Sequence, residues 1–218
     1  LVAERRVVVI TDATIDRLYG ELLAPYEKIL IGRGETIKTL QTVEQIIRQL
    51  VALGADRKTL LLAVGGGIIS DITGFVASIY MRGIRFGFVS TTLLGQTDSS
   101  IGGKTGVDFD GYKNMVGCFT QPEFVVCDPA MLRPLPEREF RAGLAEIVKA
   151  AIIGNEAMFR RLEQATFDEL RRDKGLLAAA VRSAVRVKAE IVERDEREAG
   201  ERRLLNLGHT LAHAIEKS

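Results

Sequence analysis

Short apolar runs and helical repeats alternate along the first 128 residues of the chain. The runs, rich in Val, Ile, Leu and Phe, are typical of strands buried on both faces and lie at residues 6–10, 28–31, 59–64, 85–89 and 124–127. Between them, apolar residues recur at helical spacing over residues 39–53 and, more weakly, over residues 15–23. Strands separated by helices predict a parallel sheet with right-handed crossovers.

The pattern changes at Pro129, where the strand signals end. Ala, Leu, Arg and Glu then dominate in helical repeats over residues 137–162, 167–194 and 204–216, and a polar cluster at residues 195–200 separates the last two. We therefore predict an α/β fold with two domains: an N-terminal, Rossmann-like, doubly wound and mostly parallel sheet over residues 1–128, and an all-α domain over residues 129–218. Because the chain starts without Met and its helical pattern continues to Ser218, we expect both ends to be cut and the helical domain to be incomplete.

Composition narrows the classes of partner. A formal net charge of +1 gives no field that would attract nucleic acid, so any bound anion must meet locally placed cations. The apolar runs are too short to cross a membrane, and the first residues lack the apolar core of a signal peptide. Cys118 and Cys127 form neither a metal-ligand spacing nor a disulfide framework. We expect a cytoplasmic protein with a small-molecule partner.

The stretch from Asp98 to Thr105 misses the phosphate-binding P-loop pattern by one residue. A P-loop requires Gly where Asp98 stands, so that backbone N–H groups can face phosphate oxygens, and it continues directly into a helix. Here the following residues are too rich in Gly and Asp for a helix. The segment predicts a different anion site that presents Asp98, Lys104, Lys113 and Asn114 together.

A glycine-rich loop, Gly65 to Gly74, follows the central predicted strand. It either binds a pyrophosphate through its backbone or forms a tight strand-to-helix turn, and Asp71 within it would cap the helix or bond a ribose. Two other strands also end in polar loops, one with Asp12 and the other with Glu35 and Lys38. Such loops meet at one crevice of a doubly wound sheet, and together they favour a dinucleotide.

The two histidines of the chain, His209 and His213, lie on one face of a predicted helix. This i, i+4 spacing suits a zinc ion, although two half-buried polar residues would give the same pattern. Glu146 is a candidate third ligand, and it shares a helical face with Lys149, with which it would otherwise form an ordinary ion pair.

Arg82, Lys188 and Arg202 lie outside these motifs and would singly pass for surface charge. As a set with the motif lysines they would serve a substrate that bears both phosphate and carboxylate; the set is Arg82, Lys104, Lys113, Lys149, Lys188 and Arg202.

Ordered motifs along nearly the whole chain resemble the 3-dehydroquinate synthase family. The matching segments are Gly34-Glu35 with Lys38, Gly65 to Asp71, Tyr80 with Arg82-Gly83, Thr91 to Thr105, Lys113 to Gly117, Ala142 to Lys149, and Leu205 to His213. The resemblance implies a homodimeric carbon–oxygen lyase of the shikimate pathway that uses NAD and a divalent metal, zinc or cobalt, between an α/β and an α-helical domain. It would convert 3-deoxy-D-arabino-heptulosonate 7-phosphate to 3-dehydroquinate and phosphate by transient oxidation, phosphate elimination, reduction, ring opening and aldol closure.

The resemblance also implies roles for individual residues. Glu146 and His209 would be metal ligands. The residues that would face the substrate are Asp98, Lys104, Asn114, Lys149, Lys188, Arg202, Asn206 and His213, with Arg82 reaching the substrate of a neighbouring subunit. The residues that would line the NAD site are Asp12, Glu35, Lys38, Gly66, Gly67, Ile68, Asp71, Thr91, Thr92, Lys104, Lys113, Met131, Leu132, Arg133 and Pro134.

The chain departs from the family pattern at a few positions. Ser70 replaces a common glycine, Pro134 replaces a common Thr, and the family's third metal ligand, a His in an HGE motif, would lie beyond Ser218. The alternatives are a related sugar-phosphate cyclase of the amino-dehydroquinate, valiolone or inosose type, a metal-dependent alcohol dehydrogenase, and an inactive NAD-binding fragment. Asp98 argues against a P-loop kinase.

Overall fold

The computed structural model describes residue 2 and residues 5–208 of the chain. Its strands are β1 (Val7–Asp12), β2 (Glu27–Ile31), β3 (Leu60–Gly65), β4 (Arg85–Ser90), β5 (Lys104–Phe109), β6 (Tyr112–Phe119) and β7 (Val125–Val126). Its α-helices are α1 (Ala13–Leu23), α2 (Leu40–Ala52), α3 (Gly67–Ile79), α4 (Glu137–Gly154), α5 (Glu156–Gln164), α6 (Phe167–Arg172) and α7 (Lys174–Arg194). Within these described residues, every helix is too short or too polar to span a bilayer.

A parallel sheet organises the first half of the chain, as the sequence predicts. Its strand order is β2-β1-β3-β4-β7, and all four pairings are parallel. From β1 the chain moves outward to β2, and from β3 it moves outward in the other direction to β4 and β7. The winding therefore reverses between β1 and β3, and a crevice forms beyond the carboxyl ends of these two strands.

The two edge strands, β2 and β7, differ from their prediction as fully buried strands, and in β7 both Val125 and Val126 are only half-buried. β2 is not buried on both faces: Ile29 is buried, but Leu30 is 48% exposed. The reason is that β2 is an edge strand, paired with β1 on one side, so part of its surface stays open to solvent.

The sequence patterns did not reveal the antiparallel hairpin formed by β5 and β6. Its two strands approach closely where Gly106 pairs with Gly117. A Cβ on Gly117 would lie 2.1 Å from the carbonyl oxygen of Thr105, so glycine is required at this crossing. The hairpin packs on α3, where Gly74 leaves room for the Thr105 side chain. It thereby brings Lys104 and Asn114 towards the strand ends.

From Pro129 to residue 208 the described elements are helical, as predicted. The repeat over residues 137–162 is interrupted at Asn155, whose side chain caps α5, and the repeat over residues 167–194 is interrupted at Asp173, which caps α7. The predicted break after Arg194 is present, and a short 3₁₀ helix, Glu201–Asn206, follows it. Within the helix predicted over residues 204–216, the 3₁₀ helix ends at Asn206 and a turn follows at residues 207–208, where Gly208 has φ 84°. Residues 209–216 lie outside the described residues.

The sheet and the helices have separate hydrophobic cores among the described residues. The sheet core has one cluster on each face, around Ile10 and Phe88 on one side and around Val9 and Leu62 on the other, and the helical core lies around Phe140 and Ile147. Leu93, which follows β4, is buried in the helical core. Gly143 of α4 allows this approach, because a Cβ there would lie 2.5 Å from the Leu93 Cβ. The segment after β4 is thus held between the two cores.

Candidate functional site

A cavity of about 850 Å³ lies beyond the carboxyl ends of β1, β2, β3 and β4, at the predicted crevice. It is lined by ten of the residues predicted to contact NAD: Asp12, Glu35, Lys38, Gly66, Gly67, Ile68, Asp71, Thr91, Thr92 and Pro134. Three polar loops and the glycine loop therefore meet at one place. Asp12 also caps α1, since its Oδ1 accepts hydrogen bonds from the backbone N–H groups of Thr14 and Ile15.

The glycine loop supplies backbone donors to this cavity. Gly66 begins α3 without a side-chain cap, so the first N–H groups of the helix keep their capacity for a ligand. Asp71 lies in the second turn of α3, and the alternative in which it caps that helix is wrong. A Cβ on Gly67 would lie 2.5 Å from the Ser99 Oγ, so the glycine allows the wall of the cavity to come this close.

Two buried hydroxyl groups in the cavity wall favour a polar ligand. Thr91 Oγ1 and Ser99 Oγ have no hydrogen-bond partner within the part of the chain that the structure describes. Buried polar atoms are usually satisfied, and the hydroxyl, amide and phosphate groups of a dinucleotide would satisfy these. Together with the uncapped helix, they make the cavity a good chemical fit for NAD.

A buried ion pair closes one end of this cavity. Lys38 is 4% exposed, and its Nζ lies 2.6 Å from Asp71 Oδ2 and also donates a hydrogen bond to Asn114 Oδ1. Burial raises the pKa of Asp71 to about 6, although the Lys38 charge and hydrogen bond oppose this rise. The carboxyl group of Asp71 thus combines a buried position with a pKa near neutrality.

A second cavity, of about 580 Å³, lies on the other side of Asp71. Asp71 and Ser99 line both cavities, so the two are neighbours. Five residues predicted to face the substrate line the second one: Asp98, Lys104, Asn114, Lys188 and Arg202. Lys188 and Arg202, which would singly pass for surface charge, are 8% and 2% exposed. Their burial supports the interpretation of these cations as a set.

Asp98 lies on a π-helical turn, Gly95–Ser99, in the segment that joins the two cores. Such turns are rare and occur frequently at functional sites. Lys188 Nζ lies 2.6 Å from Asp98 Oδ1 and 2.7 Å from the Asp98 backbone oxygen. Burial lowers the pKa of Lys188, and the Asp98 carboxylate opposes this effect. The pair fixes α7 against the turn at the floor of the second cavity.

The cations at the rim of the second cavity are held by the loop after α7. Glu198 accepts hydrogen bonds from Lys104 Nζ and Asn206 Nδ2. The Arg202 guanidinium donates to the backbone oxygens of Glu196 and, at 2.8 Å, Gly102. Asn206 is thereby joined to the cavity through Glu198, although it does not line the cavity itself.

The predicted metal ligands are only partly described. Glu146 and Lys149 form an ion pair on α4, with side chains 18% and 10% exposed, so the pair is largely buried and not on a solvated face. His209 and His213 lie outside the described residues. Across residues 2 and 5–208 no group of three His, Cys, Asp or Glu side chains is placed to hold a metal ion. The described residues therefore do not complete a metal site.

Some predicted site residues lie away from the cofactor cavity. Lys113 is exposed and lines neither cavity, and Lys104 lines the second cavity alone. The segment of Met131, Leu132 and Arg133 lines neither cavity. The Met131 backbone oxygen accepts a hydrogen bond from the Tyr19 hydroxyl, and Leu132 belongs to the helical core. These roles stay predictions.

Arg82 also lies away from both cavities. It is exposed, at the end of α3, in a left-handed conformation with φ 68°. Its predicted contact is with a neighbouring subunit.

The structure adds residues that sequence reasoning missed. Ser99 lines both cavities, and Glu198 lies at the rim of the second; Arg17, Arg33 and Arg138 line the first. Ser99 follows directly on Asp98, so its place in the near P-loop was an available signal. Glu198 belongs to the polar cluster at residues 195–200, which predicted only the separation of two helices.

Comparison with known protein families agrees with the motif resemblance. A family model described as 3-dehydroquinate synthase N-terminal matches residues 28–142, and one described as 3-dehydroquinate synthase C-terminal matches residues 143–218. Together they extend from the second strand to the last residue.

Individual relatives share the same pattern. The 3-dehydroquinate synthase of Halorhodospira halophila is 49% identical over 220 residues, which cover 99% of this chain and 62% of the relative. A structure of 2-epi-5-epi-valiolone synthase from Streptomyces hygroscopicus, with NAD+ and Zn2+ bound, is 35% identical with a TM-score of 0.88 and covers 97% of this chain and 62% of that one. A 2-deoxy-scyllo-inosose synthase complexed with carbaglucose-6-phosphate, NAD+ and Co2+ is 30% identical with a TM-score of 0.86, and the match covers 98% of this chain and 62% of that one.

The chain thus spans about three fifths of the length of these relatives. Over that span, the two family models cover both the sheet with its glycine loop and the helices that carry Glu146, Lys188 and Arg202. On these matches, the chain belongs to the 3-dehydroquinate synthase family.

Proposed function

We propose that this chain carries the cofactor-binding and substrate-binding parts of a 3-dehydroquinate synthase. The reaction would convert 3-deoxy-D-arabino-heptulosonate 7-phosphate to 3-dehydroquinate and phosphate. The observation that carries the proposal is the contact between the two cavities at Asp71 and Ser99. A cofactor that exchanges a hydride with a sugar phosphate requires the two ligands to lie side by side.

The first cavity would hold NAD. The N–H groups at the start of α3 would face its pyrophosphate, and the Thr91 and Ser99 hydroxyls would gain partners on binding. Because Asp71 lies at the border with the second cavity, the reactive end of the cofactor would lie near Asp71 and Lys38. When bound, NAD would supply a reversible hydride acceptor, and a divalent metal, held by Glu146 and His209, would polarise a substrate hydroxyl group.

The second cavity would hold the substrate. Lys104 would bind its phosphate together with Asn114, and Arg202 would face its carboxylate, because a buried guanidinium suits a planar anion. Asp98, fixed by Lys188, would accept a hydrogen bond from a sugar hydroxyl group. The main work of these residues is to orient the substrate and stabilise its negative charge while phosphate leaves.

We also propose that residues 1–128 and 129–218 form the two domains. The separate cores of the sheet and of the helices support this division. A homodimer, which the family resemblance implies, and a cytoplasmic location, which the sequence pattern predicts, belong to the same proposal.

The test is phosphate release from 3-deoxy-D-arabino-heptulosonate 7-phosphate with catalytic amounts of NAD and zinc. It should be run on this chain and on a longer protein that supplies the remaining two fifths of the relatives' length. We expect turnover in the longer protein, with many phosphates released per NAD and no net NADH. Failure of both proteins to release phosphate would refute the proposal.

The same assay separates the alternatives. Turnover of sedoheptulose 7-phosphate or glucose 6-phosphate in place of the heptulosonate would indicate a related cyclase. Accumulation of one NADH per substrate would indicate an alcohol dehydrogenase. NAD binding without turnover in the longer protein would indicate an inactive member of the family.

A further inference from the structure

Glu198 takes the hydrogen-bonding place at Lys104 that the proposed function assigns to the substrate's phosphate group. Its carboxylate accepts hydrogen bonds from Lys104 Nζ and Asn206 Nδ2, and both of these residues were predicted to face the substrate. Glu198 also lines the second cavity beside Asn114 and Arg202. The cationic rim therefore already holds an anion, supplied by the chain itself.

The carboxylate is charged in this position. Burial favours its neutral form, but the hydrogen bonds from Lys104 and Asn206 and the nearby Arg202 charge prevail and lower the pKa of Glu198. Arg202 itself directs its hydrogen bonds to two backbone oxygens, so its charge is balanced at a distance by carboxylates that include Glu198. Glu198 is thus the side chain that neutralises Lys104 at the mouth of the cavity.

The backbone holds Glu198 there at a cost. Glu198 has φ 60°, a left-handed conformation that disfavours a residue with a Cβ by about 1 kcal/mol. Asp195 stabilises the loop, because its carboxylate accepts hydrogen bonds from the N–H groups of Ala199, Gly200 and Arg202 at 2.7–3.0 Å. Unfavourable backbone conformations persist where the surroundings fix them, and here the fixed group faces the cavity.

We propose that Glu198 is a resting-state placeholder for the phosphate group of the ligand, and that a bound phosphate displaces it from Lys104. This inference rests on the proposed function for the identity of the substrate, but the competition concerns phosphate as a chemical group. A ligand without a strong anion cannot replace the carboxylate at Lys104 and meets a partly closed rim. Glu198 is therefore a specificity-determining residue that keeps the lysine oriented and excludes neutral sugars.

The test measures binding of inorganic phosphate to the unmodified chain and to Glu198→Gln by isothermal titration calorimetry. Without the Glu198 charge, the state in which Lys104 is available to phosphate becomes the dominant one. We therefore expect the affinity for inorganic phosphate to rise about tenfold. Glu196→Gln is the matched control, because Glu196 lies on the same loop as Glu198. Its side-chain oxygen accepts a hydrogen bond of 2.9 Å from Gln121 Nε2. Its phosphate affinity should equal that of the unmodified chain.

Unchanged or weaker phosphate binding by Glu198→Gln would overturn the proposal. It would mean that the carboxylate does not compete with phosphate and instead stabilises the loop or contacts the ligand. An equal rise in Glu196→Gln would overturn it too, since the effect would then be one of net charge. Circular dichroism melting of each variant accompanies the titration.

Hydrogen exchange of the unmodified chain gives an answer that does not depend on any variant. If phosphate displaces Glu198, saturating phosphate increases deuterium uptake at residues 196–201. Unchanged or reduced uptake would contradict displacement. Since neither measurement uses turnover, failure of the placeholder proposal is distinct from failure of the synthase assay.

Discussion

The two neighbouring cavities are built by different physical means. The first lies at the ends of parallel strands and presents glycine backbone at Gly66 and Gly67 and buried hydroxyl side chains, beside charged residues such as the Lys38–Asp71 pair. The second is built from charged side chains that pair across elements, as Lys188 does with Asp98 and Lys104 with Glu198. The first should therefore be sensitive to added volume, and the second to removed charge.

This difference matches the two ligands that the family resemblance implies. A dinucleotide cofactor is common to many reactions, and rigid backbone groups can bind it without the entropy loss of ordering side chains. A sugar phosphate with several charges needs cations at fixed places, and until it binds those cations need partners within the protein. The ion pairs of the second cavity meet that need.

Removal of a cation should give the largest effect and confine it to the second cavity. Lys104→Ala in a turnover-competent, longer protein should lower kcat/KM by about a hundredfold, because one charged donor to the substrate phosphate is lost. Since Lys104 is about half exposed, the free energy of unfolding should change by less than about 1 kcal/mol. Steady-state kinetics and thermal melting measure the two quantities.

Lys58→Ala is the matched control for Lys104→Ala. Lys58 is an exposed residue of the turn before β3 and lines neither cavity, so its removal should leave kcat/KM unchanged. Turnover by Lys104→Ala equal to that of the control would remove Lys104 from the mechanism.

Added volume should act on the first cavity, with a smaller effect. The new Cβ in Gly67→Ala would lie 2.5 Å from the Ser99 Oγ and 2.9 Å from the Ser99 Cβ, so the shared wall must move. We expect about tenfold weaker NAD binding and unchanged affinity for inorganic phosphate, both by calorimetry.

Gly20→Ala is the control for added volume. Gly20 lies inside α1, and a new Cβ there would lie 4.0 Å from the Asp16 Oδ1, an ordinary van der Waals distance. This change should leave NAD binding as it is and stabilise the helix by up to about 1 kcal/mol. Wild-type NAD affinity in Gly67→Ala would show that the first cavity tolerates added volume. That result would contradict the claim that the first cavity is sensitive to volume and the second to charge.

Residue patterns in the sequence predicted the first cavity more completely than the second. Periodicity located β1, β3 and β4, and because parallel strands end at a common edge, the loops with Asp12, Lys38 and Gly66 had to meet. The burial of Lys188 and Arg202 agrees with the interpretation of the cations as a set, although each one alone looked like surface charge and the sequence did not predict that they are buried.

Contacts between distant segments could not be read from local patterns. The β5 and β6 hairpin depends on the close crossing of Gly106 and Gly117, and glycines in the sequence indicated only loops. Glu198 reaches Lys104 across 94 positions through a left-handed turn that no periodicity marks. β2 was misjudged as fully buried because apolar content does not distinguish an edge strand from a central one.

The central claim is that the two cavities serve one reaction, with cofactor and phosphate on either side of Asp71 and Ser99. A crystal structure of the chain with NAD and inorganic phosphate tests it most directly. The account predicts the NAD pyrophosphate at the N-terminus of α3, the nicotinamide near Asp71, and phosphate against Lys104 with Glu198 displaced. A dinucleotide bound elsewhere, or phosphate bound away from Lys104 while Glu198 keeps its place, would contradict it.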